Sequence, residues 1–235
     1  WCAGTALAAA ALRSNPVTVA AVGIADGWLL MTLLGGFRLF GKTDFPHLFV
    51  VVAVILFALS YWTRSRAARH LILLSLILYA ALFALDNNVV AVSLALAVVS
   101  AALFAASVLA PAAVERIVQL GGRMPLQALI GFLTGMAMLQ FAYANEAGVG
   151  FVLTAALTLA GIAAAILYAG RESRGLRWVA YLGFAFELVF IYLVTMQTML
   201  GTAGFFLAAA LILAVLAFVI IRIEKRWAAP AVREA

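Results

Sequence analysis

The stretch YLGFAFELVFIYL, from Tyr181 to Leu193, decides the fold class because twelve of its thirteen residues are apolar, aromatic or glycine. Such a run is typical of a segment surrounded by hydrocarbon, since a helix that crosses a bilayer needs about 20 mostly apolar residues. The exception is Glu187, a carboxylate in the middle of the run. Two questions follow: whether the rest of the chain also belongs in a membrane, and what Glu187 does there.

The composition of the whole chain answers the first question. Of the 235 residues, 68% are hydrophobic and 10% are charged, and the mean hydropathy is +1.18. A soluble domain carries about 25% charged residues, so its surface would need more polar side chains than this chain has. The alternating polarity of membrane β-strands is also missing. The sequence therefore predicts an all-α, polytopic transmembrane helix bundle.

The apolar segments predict about eight full spans and one partial span at the N-terminus, built largely of helical hairpins. No low-complexity linker separates them, so residues 1–235 are expected to form a single transmembrane domain with a cytoplasmic tail over 222–235. The predicted segments are Trp1–Leu12 (partial), Val17–Leu39, Pro46–Trp62, Ala68–Leu85, Val89–Ala110, Leu126–Ala144, Gly150–Ala169, Leu176–Met196 and Thr202–Ile221.

The positions of the basic residues predict the topology. If the loops are numbered alternately inside and outside, one set holds 13 of the Lys and Arg residues, and the other holds only Arg38 and Lys42. Basic loops remain in the cytoplasm, so the first set and the C-terminus are assigned to that side. The formal net charge of +6 is thereby explained by topology, and no nucleic-acid partner is expected.

The segment PAAVERIVQLGGR, from Pro111 to Arg123, differs from the spans around it. Pro suits the first turn of a helix, and Glu115, Gln119 and Arg123 are four residues apart, which places them on one helical stripe. We predict a short helix over 111–123 in the cytoplasmic interface. It is either a simple linker that covers lipid headgroups or a docking element.

Glu187 and Asp26 are the candidate functional carboxyls. Glu187 lies about 16 Å along its span from Leu176, which is near the middle of a hydrocarbon core about 30 Å thick. Asp26 is expected at a similar depth. No basic residue is predicted beside them, so burial favours the neutral acid. They either bind a proton or a cation, or are structural groups capped by a neighbouring hydroxyl, phenol or carbonyl.

Other polar residues are predicted near the outer surface. Gln140, Glu146 and Gln197 are candidates for an outer vestibule, with solvated helix ends as the alternative. The sequence shows no metal or cofactor motif, and its single cysteine, Cys2, excludes an intrachain disulfide. Because few polar groups are available to converge on a substrate, we expect no enzymatic activity, no cofactor and no metal.

Two pairs of glycines have the small-xxx-small spacing that lets helices approach closely. The first pair, Gly23 and Gly27, flanks Asp26, and the second is Gly131 and Gly135. We predict helix packing at all four positions, with a broken helix beside a cavity as the alternative.

The C-terminal segment from Arg174 to Arg226, RGLRWVAYLGFAFELVFIYLVTMQTMLGTAGFFLAAALILAVLAFVIIRIEKR, combines a basic loop, an aromatic-rich helix, a short turn, LGTAGFFLAAALIL and a basic stop. This pattern resembles the closing hairpin of bacterial multi-pass membrane proteins grouped as domain of unknown function 2157. The resemblance implies a location in the bacterial inner membrane. It implies no activity and transfers no functional residue.

These observations leave two interpretations of function. The first is a small-solute or ion permease that uses Glu187 and Asp26 as proton or cation sites. The second is a non-catalytic scaffold or accessory subunit of a larger membrane complex. The expected partners are the lipid bilayer and, for the second interpretation, other membrane-protein subunits.

Overall fold

A computed structural model describes residues 2–33, 46–87, 90–144, 148–170, 173–198 and 202–228. Throughout these ranges the regular structure is helical and no strand occurs, so the predicted all-α class is confirmed. The helices are α1 (Cys2–Leu12), α2 (Asn15–Leu33), α3 (Pro46–Trp62), α4 (Arg66–Asn87), α5 (Val90–Leu109), α6 (Pro111–Val118), α7 (Met124–Tyr143), α8 (Val149–Ala169), α9 (Arg174–Thr198) and α10 (Thr202–Ala228).

Five stretches within the described helices are long and apolar enough to cross a membrane, so the predicted count of about eight spans is not supported. These stretches lie in α4, α5, α7, α8 and α9. The apolar parts of α2, α3 and α10 are shorter, at Asn15–Met31, His47–Trp62 and Ala209–Arg222. The predicted span Val17–Leu39 also runs into residues 34–45, which lie outside the described ranges.

The chain divides into two compact units, Trp1–Val189 and Phe190–Ala235, and the boundary falls within α9. In the second unit α10 continues to Ala228. The first part of the predicted tail, residues 222–228, is therefore helical. Residues 229–235 of that tail lie outside the described part. The single-domain organisation stays a prediction.

Several basic turns of the first unit lie at the same end of the helices. Arg13, in the α1–α2 turn, stacks its guanidinium 4.4 Å from the ring centroid of Trp62 at the end of α3. The Tyr61 hydroxyl donates a hydrogen bond to the Ile117 carbonyl oxygen of α6 at 2.7 Å. These contacts join the α1–α2 turn, the α3–α4 turn and α6 into one basic end of the first unit.

The helix predicted over 111–123 is present, but it is shorter than expected. α6 ends at Val118, where Gln119 adopts a left-handed conformation with a φ of 52°. Gly121 and Gly122 follow at φ 67° and 75°, a region that glycine enters without steric cost. The single stripe through Glu115, Gln119 and Arg123 was therefore wrong, because the backbone leaves the helix before the stripe is complete.

The closest helix packing involves α5 and α7. A Cβ atom added at Gly135 would lie 2.7 Å from the backbone nitrogen of Ala97 and 2.9 Å from the carbonyl oxygen of Ser93. A Cβ atom at Gly131 would meet the side chain of Ser100. α5 therefore contributes small residues to the seam, and the α7 glycines let the two backbones come together.

The packing predicted at Gly23 and Gly27 is not found. Both glycines are exposed, and a Cβ atom at either one would meet no atom of the described residues within 4 Å. In α2 the buried residues are instead Thr18, Ala21, Val22, Ala25 and Leu29. The small-xxx-small spacing was a poor guide here because it does not say which face of a helix meets a neighbour.

We expect Gly135→Ala to destabilise the protein by about 1–3 kcal/mol, since the new methyl group overpacks a site bounded by rigid backbone. Gly23→Ala is the matched control. It adds the same methyl group to open space and should be neutral or stabilising by up to about 1 kcal/mol. Thermal unfolding of both variants in one detergent measures the difference, and equal stabilities would contradict the α5–α7 packing.

Candidate functional site

Glu187 is buried in the first unit, with 2% of its surface exposed. The Gln140 side chain, on α7, donates an Nε2 hydrogen bond to Glu187 Oε1 at 2.7 Å. The same amide nitrogen donates to the Thr158 hydroxyl, on α8, at 3.0 Å. These three side chains, which we call the polar triad, therefore connect α7, α8 and α9 through a fully buried amide.

Hydrogen bonds within α8 fix the role of each atom in the triad. The Thr158 hydroxyl donates to the backbone carbonyl of Thr154 at 2.8 Å, so its oxygen is left to accept from Gln140. The two N–H groups of the Gln140 amide are then both used. Its carbonyl oxygen, Oε1, is buried and has no partner among the described residues.

The unpaired Gln140 Oε1 is a free acceptor for a proton donor or a cation. A buried acceptor without a donor costs about 1–3 kcal/mol. A proton donor or a cation near this oxygen would remove that cost. Carboxylate, amide and hydroxyl oxygens are the ligands that hard cations prefer, and all three types meet here.

Thr158 and Glu187 lie deep within their helices, whereas Gln140 is close to the end of α7 at Tyr143. Thr158 is about 14 Å along α8 from Val149, and Glu187 is about 20 Å along α9 from Arg174, at a rise of about 1.5 Å per residue. Both residues are far from the ends of apolar stretches long enough to span a membrane. The depth of Glu187 in a bilayer stays a prediction.

Gln140 does not belong to an outer vestibule as predicted, because its side chain is completely buried and pairs with Glu187. The prediction placed it near the surface because it lies close to the end of α7, but α9 extends further and brings Glu187 to the same level. The other vestibule candidates cannot be compared in this way. Glu146 and the side chain of Gln197 lie outside the described part of the chain.

Asp26 does not share the Glu187 site. Its carboxyl lies beside the hydroxyl of Ser75 on α4, with which it makes a hydrogen bond. The second oxygen, Oδ1, is buried and has no partner among the described residues. Glu187 and Asp26 are thus each bonded within a different group of helices, α7–α9 for the first and α2–α4 for the second.

Sequence reasoning missed the pairing of Gln140 with Glu187, although one signal was present. Thr154 and Thr158 are four residues apart on an otherwise apolar helix, and both are buried. Two hydroxyls on one buried face indicate a polar lining. Their partner was not identifiable without knowing which helices touch.

The described residues contain no group of three or more His, Cys, Asp or Glu side chains placed to hold a metal ion. No protein-family model, curated protein or solved structure matches the chain. The resemblance of the C-terminal hairpin to domain of unknown function 2157 therefore stays a prediction.

A double-mutant cycle tests the triad directly. Gln140→Leu and Glu187→Leu should each destabilise the protein, and the double variant should be less destabilised than the sum, with a coupling energy of about 0.6–1.7 kcal/mol. The reason is that either single change leaves a buried polar group unpaired, whereas the double change removes both. Unfolding in mixed micelles provides the measurement.

The control cycle pairs Gln140→Leu with Asp26→Leu. These residues share no partner, so their effects should add. If the Gln140–Glu187 pair were also additive, the hydrogen bond between them would make no energetic contribution.

Proposed function

We propose that the chain is a small-solute or ion permease in which Glu187 binds a proton or a cation. The observation that carries this proposal is the polar triad, where a buried carboxyl and an unpaired amide carbonyl meet deep among apolar helices. Ionisable residues within membrane spans are costly to insert and commonly mark ion pathways. The hydrogen-bond partner of Glu187, the Gln140 amide, is uncharged, so exchange of a proton or cation does not require breaking an ion pair.

In this proposal Glu187 provides the exchangeable charge, and Gln140 orients its carboxyl. Nε2 of Gln140 faces the Glu187 carboxyl, so a proton bound there would give Gln140 Oε1 a partner only after the amide turned over to present its oxygen. Asp26 is not part of this site because it is bonded to Ser75 on a separate group of helices. The proposal involves no catalytic step.

We further propose that α2, α3 and α10 cross the membrane together with the five longer helices, in the inner membrane of a bacterium. The gathering of Arg13 and the α3–α4 turn at one basic end supports this topology, since basic loops remain cytoplasmic. The C-terminus would then also be cytoplasmic. Labelling of cysteines placed at Arg64 and at Gly148 with an impermeant thiol reagent, from each side in turn, tests the orientation.

The second candidate function is a non-catalytic scaffold or accessory subunit. One observation favours it: Glu187 and Asp26 each have a hydrogen-bond partner within the bundle. A polar group that is already hydrogen-bonded can have the sole role of holding helices in register, without any part in transport. On that view the exposed apolar faces of the helices would meet other membrane subunits.

Flux through reconstituted liposomes separates the two functions. Under an imposed gradient of protons, Na⁺ or K⁺, Glu187→Gln should reduce the flux to that of protein-free liposomes, because the amide keeps the shape of the side chain but cannot exchange a charge. Asp26→Asn is the matched control, since it neutralises the other buried carboxyl. It should transport like the unmodified chain.

Wild-type flux in Glu187→Gln would contradict the permease proposal. The scaffold would gain support if that variant also retained a stoichiometric membrane partner in mild detergent. Glu187→Lys tests the depth independently, because a cation forced into the middle of the bilayer should impair insertion. Equal tolerance of Gln and Lys would contradict a buried position for Glu187.

A further inference from the structure

A second polar site lies at the basic end of the first unit, well away from the polar triad along the helices. A cleft of about 710 Å³ opens between the α3–α4 turn and α6. Four arginines line it, together with a single carboxylate, Glu115. The arginines are Arg64, Arg66, Arg69 and Arg116. The cleft therefore carries a clear excess of positive charge.

Arg69 is built into the wall of this cleft. Only 2% of its surface is exposed, and its Nη1 donates hydrogen bonds to the Val118 carbonyl at 3.0 Å and the Gln119 side chain at 3.3 Å. Its guanidinium carbon lies 4.8 Å from the ring centroid of Tyr61. These partners are all uncharged, so they fix the guanidinium in place without neutralising it.

Glu115 cancels one of the four positive charges that line the cleft, and loop backbone groups hold its carboxyl in place. The N–H groups of Gly121 and Gly122 donate to its two oxygens at 2.6 and 2.9 Å. Partial burial acts to raise the pKa of Glu115, but the loop N–H groups and the nearby Arg66 lower it below its ordinary value. The carboxylate thus ties the loop after α6 to the helix, and the four arginines remain in excess over this one negative charge.

The rim of the cleft is apolar and exposed. Trp62 and Ile117, which adjoin the cleft residues Tyr61 and Arg116 in the chain, are 57% and 71% exposed. A second cleft of about 480 Å³ shares Tyr61 and Arg64 with the first and extends the basic surface to Arg13. A phosphate group seated here would have apolar side chains within reach of the chains attached to it.

We propose that this cleft, bounded by Arg64, Arg66, Arg69 and Arg116, binds the phosphate group of an anionic phospholipid. The planar guanidinium forks match phosphate oxygens in geometry as well as in charge. A basic pocket at the end of membrane-spanning helices is also where lipid headgroups reside. The exposed tryptophan on the rim favours a lipid over a soluble phosphate, since indole rings prefer the membrane boundary.

Native mass spectrometry of the full chain, titrated in detergent with phosphatidylglycerol or with phosphatidylcholine of the same acyl chains, tests the proposal. We expect phosphatidylglycerol to bind more tightly. The double variant Arg64→Gln/Arg66→Gln should weaken that binding about 25-fold, from about fivefold for each arginine near the membrane surface. Both arginines are exposed, so the variant should fold, which its thermal unfolding checks.

The matched control is Arg174→Gln/Arg177→Gln, which removes the same charge at the start of α9, outside the cleft. It should bind phosphatidylglycerol like the unmodified chain. An equal loss in both double variants would overturn the proposal, because the effect would then be general charge attraction. Equal affinity for the two lipids would also overturn it.

A third experiment uses inorganic phosphate, both alone and in competition with phosphatidylglycerol. Displacement of phosphatidylglycerol by millimolar phosphate, or phosphate binding that depends on Arg64 and Arg66, would identify a soluble phosphate as the occupant and overturn the lipid assignment. Absence of competition supports the lipid, because its acyl chains add affinity that a free ion lacks.

Discussion

The absence of water from the hydrocarbon core is the constraint on which this structure depends. Inside a bilayer each polar group must find its hydrogen-bond partner within the protein. Gln140 satisfies that requirement for Glu187 and, by using its second N–H group on Thr158, connects three helices through one amide. The cost is an unpaired carbonyl oxygen on Gln140. The triad thus connects the helices, and its open acceptor is the feature on which the proposed transport function rests.

The same constraint acts differently at the basic end of the first unit. Arg69 is nearly as buried as Glu187, yet its partners are backbone and amide oxygens supplied by the end of α6. Those oxygens are free to accept because α6 stops at Val118, where the last carbonyls of a helix have no partner of their own. The left-handed Gln119 and the two glycines that follow then turn the chain so that Glu115 can hold the loop. A helix terminus thus positions an arginine, and the arginine completes a cleft in which four positive charges exceed one negative charge.

Much of this architecture was predictable because length and composition act locally. The helical class, the approximate position of most helices and the place of Glu187 within a long apolar stretch follow from the number of consecutive apolar residues. Which helices touch does not follow, because it depends on the rotation and stagger of each helix against its neighbours. Gln140 was misplaced because the stagger of α7 against α9 was unknown. The packing role of Gly23 was wrong because the rotation of α2 was unknown. The early end of α6 was not predicted because it depends on the left-handed conformation of Gln119, which is uncommon for a residue other than glycine. Length supports five spans, and it cannot decide the others because apolar runs such as His47–Trp62 are short.

The most direct test of the central claim is infrared difference spectroscopy of the chain in lipid bilayers during titration with acid and with Na⁺. If Glu187 exchanges a proton or a cation while bonded to Gln140, one carboxyl band should change during the titration. That band should be absent in Glu187→Gln, shifted in Gln140→Leu, and unchanged in Asp26→Asn. A titrating band that keeps its frequency in Gln140→Leu, or no band that depends on Glu187, would contradict the account and leave the triad as a packing element only.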